Sequence, residues 1–185
     1  MPTTCLPIVC PTSCTDPLPD VDFSICAPEI HTGEISNIYI TTAENGELTD
    51  ENDATEWATR MALLSANPLK IRTLVVLADK PAPEESEITI SNDRTVVGEK
   101  THTLNIDIDE TNQVNYEFLR KMECGQKILI WYKTADGLLY GGASGIAGTL
   151  RLNEVIPRSR KELVVFTGTF KWNSKTAPCR TVSVI

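Results

Sequence analysis

Residues 101–124 read THTLNIDIDETNQVNYEFLRKMEC, and this stretch decides how the chain is interpreted. Its first eight residues alternate between apolar and polar side chains, which is the period-two pattern of a half-buried β-strand. The side chains predicted to share the inner face are His102, Leu104, Ile106 and Ile108. His102 therefore fits a core or inter-strand position better than the role of a general base.

The second half of the stretch has the spacing of an amphipathic helix over about 112–123. Tyr116, Leu119 and Glu123 fall on one side, Phe118 and Met122 widen that stripe, and a glycine follows at 125. Glycine just past a periodic segment is a typical helix end. A strand that runs directly into a helix is thus expected here.

The acidic cluster between strand and helix has two interpretations. Asp107, Asp109 and Glu110 offer oxygen ligands, but a calcium loop also needs a glycine at its sixth position and a distal bidentate Glu, which are missing here. A helix cap by Asp109 or Thr111 explains the residues better, because acidic groups complement the positive end of the helix dipole. A metal-dependent enzyme built on the three carboxylates remains the competing hypothesis.

The rest of the chain reads as strands joined by tight turns. The segment 53–64 is predicted as a helix, with Asp53 as its cap and Glu56 completing a capping box. The predicted strands are 35–42, 71–78, 87–91, 94–109, 127–134, 138–142, 146–156 and 162–172. We therefore predict a mainly β (α+β) fold: an antiparallel β-sandwich or partly closed barrel, with one or two flanking helices and an extended N-terminal arm.

The arm is residues 1–30, and the predicted assembly domain is residues 31–185. Six of the eleven prolines lie in the arm, and proline interrupts both helices and strands. The arm also holds Cys5, Cys10, Cys14 and Cys26. Their spacing matches no familiar zinc knuckle, so a zinc site and disulfides stand as alternatives to reduced thiols, which are the default in a reducing compartment.

The charge of the chain is unevenly distributed. The whole chain carries −8, whereas residues 151–185 hold seven basic and two acidic residues. A chain with ends of opposite sign can pair head to tail with its own copies, and Arg158, Arg160 and Lys161 are candidate contact residues. The overall negative charge argues against binding nucleic acid through a basic face.

Features of an enzyme or a membrane protein are missing from the sequence. The chain has two histidines and no G-x-S-x-G motif, and no apolar run approaches the ~18 residues of a transmembrane helix. The segment 141–145, GGASG, resembles a flexible loop. We expect a non-enzymatic protein without cofactor, cytosolic when made, whose loops contact other chains.

Several phrases together resemble virion structural proteins of tailed bacteriophages and prophages of Bacteroidetes-type hosts. They are GEISNIYIT, EWATRM, LADKPAPEE, KTHTLNIDIDETNQVNYEFLRKMECG, IWYKTADGLLYGG and FTGTFKWNSKTAP, and the resemblance covers roughly residues 26–185. Within that group the layout is similar to tail tube proteins.

The resemblance implies stacked rings, usually hexameric, with a polar lumen through which double-stranded DNA passes. It implies a location in the virion, after assembly in the host cytoplasm, and contacts with neighbouring tail proteins. Asn105, Asp107 and Asp109 are candidate lumen or subunit-contact residues. The alternatives are a head-to-tail connector, a neck ring or another accessory virion protein, or a small module that binds a sugar or receptor through loops 81–87 and 141–145.

Overall fold

The computed structural model describes residues 26, 30–31, 33–42, 44–90, 94–110, 112–159 and 161–185. Most of the predicted arm, with Cys5, Cys10 and Cys14, therefore lies outside the described residues. The elements in chain order are β1 (Ile35–Thr42), α1 (Ala54–Ala62), β2 (Arg72–Asp79), β3 (Glu87–Ile90), β4 (Arg94–Val97), β5 (Lys100–Ile108), α2 (Gln113–Met122), β6 (Gln126–Thr134), β7 (Leu138–Tyr140), β8 (Ile146–Val155), β9 (Val165–Ser174) and β10 (Arg180–Val182).

Six antiparallel strands close into a barrel, which confirms the predicted fold class. The strands are ordered β1-β2-β5-β9-β8-β6, and β6 returns to pair with β1. The short strands β7 and β10 extend the sheet from β6, and β3 and β4 form a separate hairpin. Closure gives the hydrogen-bonding groups at the edges of β1 and β6 a partner.

Every second side chain of β5 points into the barrel and helps to fill it, as the alternating pattern predicts. His102, Leu104, Ile106 and Ile108 are all buried. The strands also approach closely at Gly168 of β9, where a Cβ atom would lie 1.9 Å from the backbone oxygen of Arg151. Only glycine permits that approach, and such positions help a sheet to curve into a barrel.

The two helices cover different parts of the barrel. Helix α2 places Leu119 and Met122 in the barrel core. Helix α1 lies outside the barrel, where its buried Trp57 packs edge-on against Tyr39 of β1 and Trp131 of β6. A helix of nine residues is too short to be stable alone, so this packing holds it in place. In the described part of the chain, neither helix has the length and apolar character to span a membrane.

The structure corrects the predicted start of α2. The N-cap is Asn112, whose side chain accepts hydrogen bonds from the backbone N–H groups of Val114 and Asn115 at 3.1 and 3.0 Å. The prediction of Asp109 or Thr111 was therefore wrong, because the strand ends at 108 and the chain needs four further residues to turn into the helix. Glu123 is exposed and was wrongly assigned to the buried stripe.

Other boundaries also differ from the prediction. The expected strand 94–109 is divided into β4 and β5 at residues 98–99, where Gly98 N–H donates to the Ser86 carbonyl at 2.7 Å. Strand β9 begins at 165, so Val164 lies outside it. Strand β10 was not predicted, since three residues carry too little periodicity to be recognised.

Candidate assembly surfaces

The connection between β8 and β9, residues 155–165, is a hairpin tip with exposed apolar side chains. At the base of this connection, Val155 of β8 pairs with Val165 of β9, and Glu154 pairs with Phe166. The exposed fractions are Val155 41%, Ile156 71%, Leu163 71% and Val164 36%. Soluble monomers rarely cluster such residues at one exposed site, so this tip is a candidate contact surface.

Basic residues flank the apolar side chains of this tip. Of the three predicted contact residues, Arg158 and Lys161 are exposed, and Arg160 lies outside the described residues. Ser159 holds the turn, accepting from the Lys161 N–H through its hydroxyl at 3.2 Å and from the Glu162 N–H through its carbonyl at 3.3 Å. The tip therefore presents aliphatic and positively charged groups together.

The outer face of the barrel carries Asn105 and Asp107. Both are exposed, and Asn105 donates from its amide to the Asp79 carboxylate on the neighbouring strand at 3.1 Å. Asp109 is also exposed, just beyond the strand. Among the described residues, no three His, Cys, Asp or Glu side chains converge to hold a metal ion.

The outer face of the barrel is apolar where it is formed by β2. Val75 and Leu77 are 62% and 65% exposed, and Leu77 lies opposite Asp107 in the register of β2 and β5. These strands pair over only three residues, so β2 separates from β5 towards its beginning. A polar strand face bordered by exposed aliphatic residues suits contact with another protein better than small-molecule chemistry.

The end of the barrel away from α2 has a cavity of about 470 Å³ that is lined by Tyr132 and Tyr140, among other residues. We call this cavity the aromatic mouth. Tyr132 and Tyr140 stack there with ring centroids 4.7 Å apart. Burial, and to a lesser extent Tyr140, raises the pKa of the Tyr132 phenol. Lys80 also lines the cavity, and partial burial lowers the pKa of its ammonium group.

Backbone strain marks the same mouth. Glu34 lines the cavity with a φ of 111°, a conformation that residues other than glycine rarely adopt. Its carbonyl accepts from the Ala135 N–H at 2.9 Å, which holds the strained residue against the end of β6. Sequence reasoning missed Glu34, because its conformation depends on the distant strand. Such strain persists where the surrounding structure imposes it, frequently at functional sites.

The groove between α1 and α2 is lined by Lys70, Arg72 and Lys121, and the first two of these cations serve the fold. Lys70 donates to the carbonyls of Met61 and Leu63, and Arg72 donates to the Ser65 carbonyl at 2.9 Å. These bonds satisfy carbonyl groups at the end of α1 that lack partners within the helix. The groove is therefore a structural feature.

Loop 141–145 was predicted to be flexible, and the structure shows that it is packed. The indole N–H of Trp131 donates to the Gly142 carbonyl at 2.7 Å, and the Leu48 N–H donates to the Ala143 carbonyl at 2.9 Å. The prediction failed because glycine-rich composition does not reveal a partner that is distant in sequence.

Two cysteines bear on the predicted thiol chemistry. Cys26 has an exposed free thiol. Cys179, which was not among the four cysteines of the prediction, is disulfide-bonded. The proposed zinc set falls mainly on residues that the structure does not describe.

The chain has no detectable family assignment. A search against known protein families finds no match, and a search of curated proteins finds no relative.

Proposed function

We propose that the chain is a non-enzymatic structural subunit of a phage virion, specifically a tail tube protein that stacks as rings around the passing genome. The observation that carries the proposal is the hairpin tip, where four exposed apolar side chains stand beside exposed basic residues. A solitary monomer gains nothing from that surface, whereas an assembling subunit buries it. The resemblance of residues 26–185 to virion proteins supports the choice of a phage particle as the assembly.

The charge and the outer face support a conduit for DNA. The chain carries −8, and the exposed Asn105 and Asp107 side chains are polar or acidic. Such a surface repels phosphates and lets double-stranded DNA slide without sequence-specific binding. The proposed partners are further copies of the chain, in rings that the resemblance implies to be hexameric, neighbouring tail proteins and the DNA in transit. The proposed location is the virion, after assembly in the host cytoplasm.

A connector or neck ring is the second candidate, because the same hairpin tip would serve a single ring as well as a stack. The two differ in the form of the assembly. A tube protein polymerises into open-ended cylinders, whereas a connector stops at discrete rings.

The test is the assembly of the purified full chain over a range of concentrations. Sedimentation velocity and negative-stain electron microscopy should show rings or tubes. The double substitution Ile156→Asp and Leu163→Asp should abolish them, whereas Leu64→Asp should not, since Leu64 is 82% exposed in the segment between α1 and β2 and is not part of the hairpin tip. A wild-type chain that stays monomeric at high concentration contradicts the proposal.

A further inference from the structure

The hairpin tip and the aromatic mouth lie at opposite ends of the barrel. Because the six strands alternate in direction, the end of β8 and the start of β9 share one end with the start of β2. The other end collects Glu34 before β1, Lys80 after β2 and Tyr132 near the end of β6. The chain therefore presents two different surfaces along one axis.

The mouth offers an apolar cavity of the kind that receives side chains. Its lining includes Ile35, Ala78, Tyr132, Tyr140 and Pro178. The hairpin tip carries side chains suited to enter this cavity. Ile156 and Leu163 are exposed, branched aliphatic residues at the end of a projecting hairpin. Burying them against tyrosine rings removes apolar area from water on both partners.

The charges of the two surfaces are opposite. Among the described residues of the tip, Arg158 and Lys161 are basic and Glu162 is acidic. At the mouth, Asp79 and Lys80 line the cavity, and Glu84 and Glu85 follow in the same loop, where Glu85 pairs with Lys100 at 2.6 Å. Glu34 adds a further exposed carboxylate at the mouth. Lys80 opposes this trend, and its side chain is half-buried.

We propose that the hairpin tip of one copy docks in the aromatic mouth of the next copy. Ile156 and Leu163 enter the tyrosine-lined cavity, and the basic residues of the tip face Glu34 and the acidic loop 79–87. The inference rests on the proposed function, and it specifies the contact between successive copies of the chain in that assembly. Because the two surfaces differ, the contact is heterologous, and it generates a closed ring or a continuing stack.

Charge exchange between the two surfaces tests this pairing. A tip variant carries Arg158→Glu and Lys161→Glu, and a mouth variant carries Glu34→Lys and Glu84→Lys. Each variant alone should associate about 100-fold more weakly at low salt, because like charges then meet across the contact. An equimolar mixture of the two variants should recover association, because a reversed tip then meets a reversed mouth. Sedimentation velocity at several salt concentrations measures all three samples.

A control variant reverses the same number of charges on the outer wall of the barrel, between its two ends: Arg151→Glu in β8 and Lys171→Glu in β9, both of which are exposed. It should assemble like the wild type, and circular dichroism establishes that every variant is folded. If the wild type assembles and the tip variant assembles equally well, the pairing is overturned and the proposed function stands. If each variant fails and the mixture also fails, the two surfaces do not meet each other, which likewise overturns the pairing. A wild type that does not assemble overturns both.

Discussion

His102 lies flat against Trp172, with ring centroids 5.0 Å apart and planes inclined by 10°. The two residues face each other across β5 and β9. The His102 side chain is buried, and neither ring nitrogen makes a hydrogen bond of normal geometry among the described residues. This apolar stacking suits the neutral imidazole.

The burial of His102 predicts lower stability in acid. Burial first, then the charges of Lys80 and Lys100, lower its pKa below 6.5, and the nearby Ser174 backbone only partly opposes this. The unfolded chain therefore takes up a proton as the pH falls through about 6.5, while the folded chain does not until lower pH. The free energy of unfolding should decrease over that window. It should be measured by urea denaturation between pH 8 and pH 5.

The His102→Phe variant is the control for this pH effect, since it keeps a stacked ring and removes the titration. Its stability should change less with pH over the same window than that of the wild type. Identical pH profiles for the two proteins would show that His102 does not titrate differently in the folded state.

The corrected cap of α2 predicts which substitution destabilises the helix. Asn112→Ala removes an acceptor of two backbone N–H groups and should cost about 1 kcal/mol of unfolding free energy. Asn112→Asp retains the acceptor and should be close to wild type. Asp109→Ala should stay within about 0.5 kcal/mol, as for other surface changes. Chemical denaturation measures the stability of the three variants. A larger loss of stability for Asp109→Ala than for Asn112→Ala would favour Asp109 as the N-cap.

Gly141 should resist substitution for two reasons. Its φ is 132°, and a Cβ atom would lie 2.5 Å from Cδ1 of Trp131. Gly141→Ala should therefore cost about 2–4 kcal/mol, from backbone strain and overpacking together. Gly137 has a φ of 88° and open space, so Gly137→Ala should cost only about 1–2 kcal/mol. Thermal unfolding of both variants distinguishes the two effects, because only Gly141→Ala adds a steric clash to the backbone strain. Equal losses of stability in the two variants would exclude the clash.

Arg60 ties the loop before α1 to the helix. It pairs with Glu56 at 2.9 Å and donates to the carbonyls of Gly46 and Glu47. Arg60→Met should cost about 2–3 kcal/mol, because hydrogen bonds from charged groups to partly buried carbonyls are lost. It should also expose the loop to proteolysis. Arg120→Met, in exposed α2, is the matched control, and similar protease resistance in both variants would contradict the role of Arg60.

Glu56 shows why part of this network escaped sequence reasoning. A capping box would direct its carboxylate to the N–H of Asp53. Instead it accepts from the N–H groups of Thr49 and Asp50, at 2.9 and 3.2 Å for the same oxygen. Asp53 does cap the helix, accepting from the Thr55 N–H at 2.8 Å. The motif identified the helix start correctly, but the folded loop offered Glu56 other donors.

Local pattern by itself determined most elements of this protein, but neither β10 nor the division between β4 and β5. The alternation that ends at Ile108 and the stripe through Leu119 predict a strand and a helix, and both form, because periodic apolar residues must be buried on one side whatever the topology. Only the tertiary structure decided that β6 returns to β1 and closes the barrel, that Trp131 holds loop 141–145, and that the hairpin tip and the mouth face opposite ways. Those relationships join residues far apart in the chain, so their physical cause is packing between segments, which no local pattern contains.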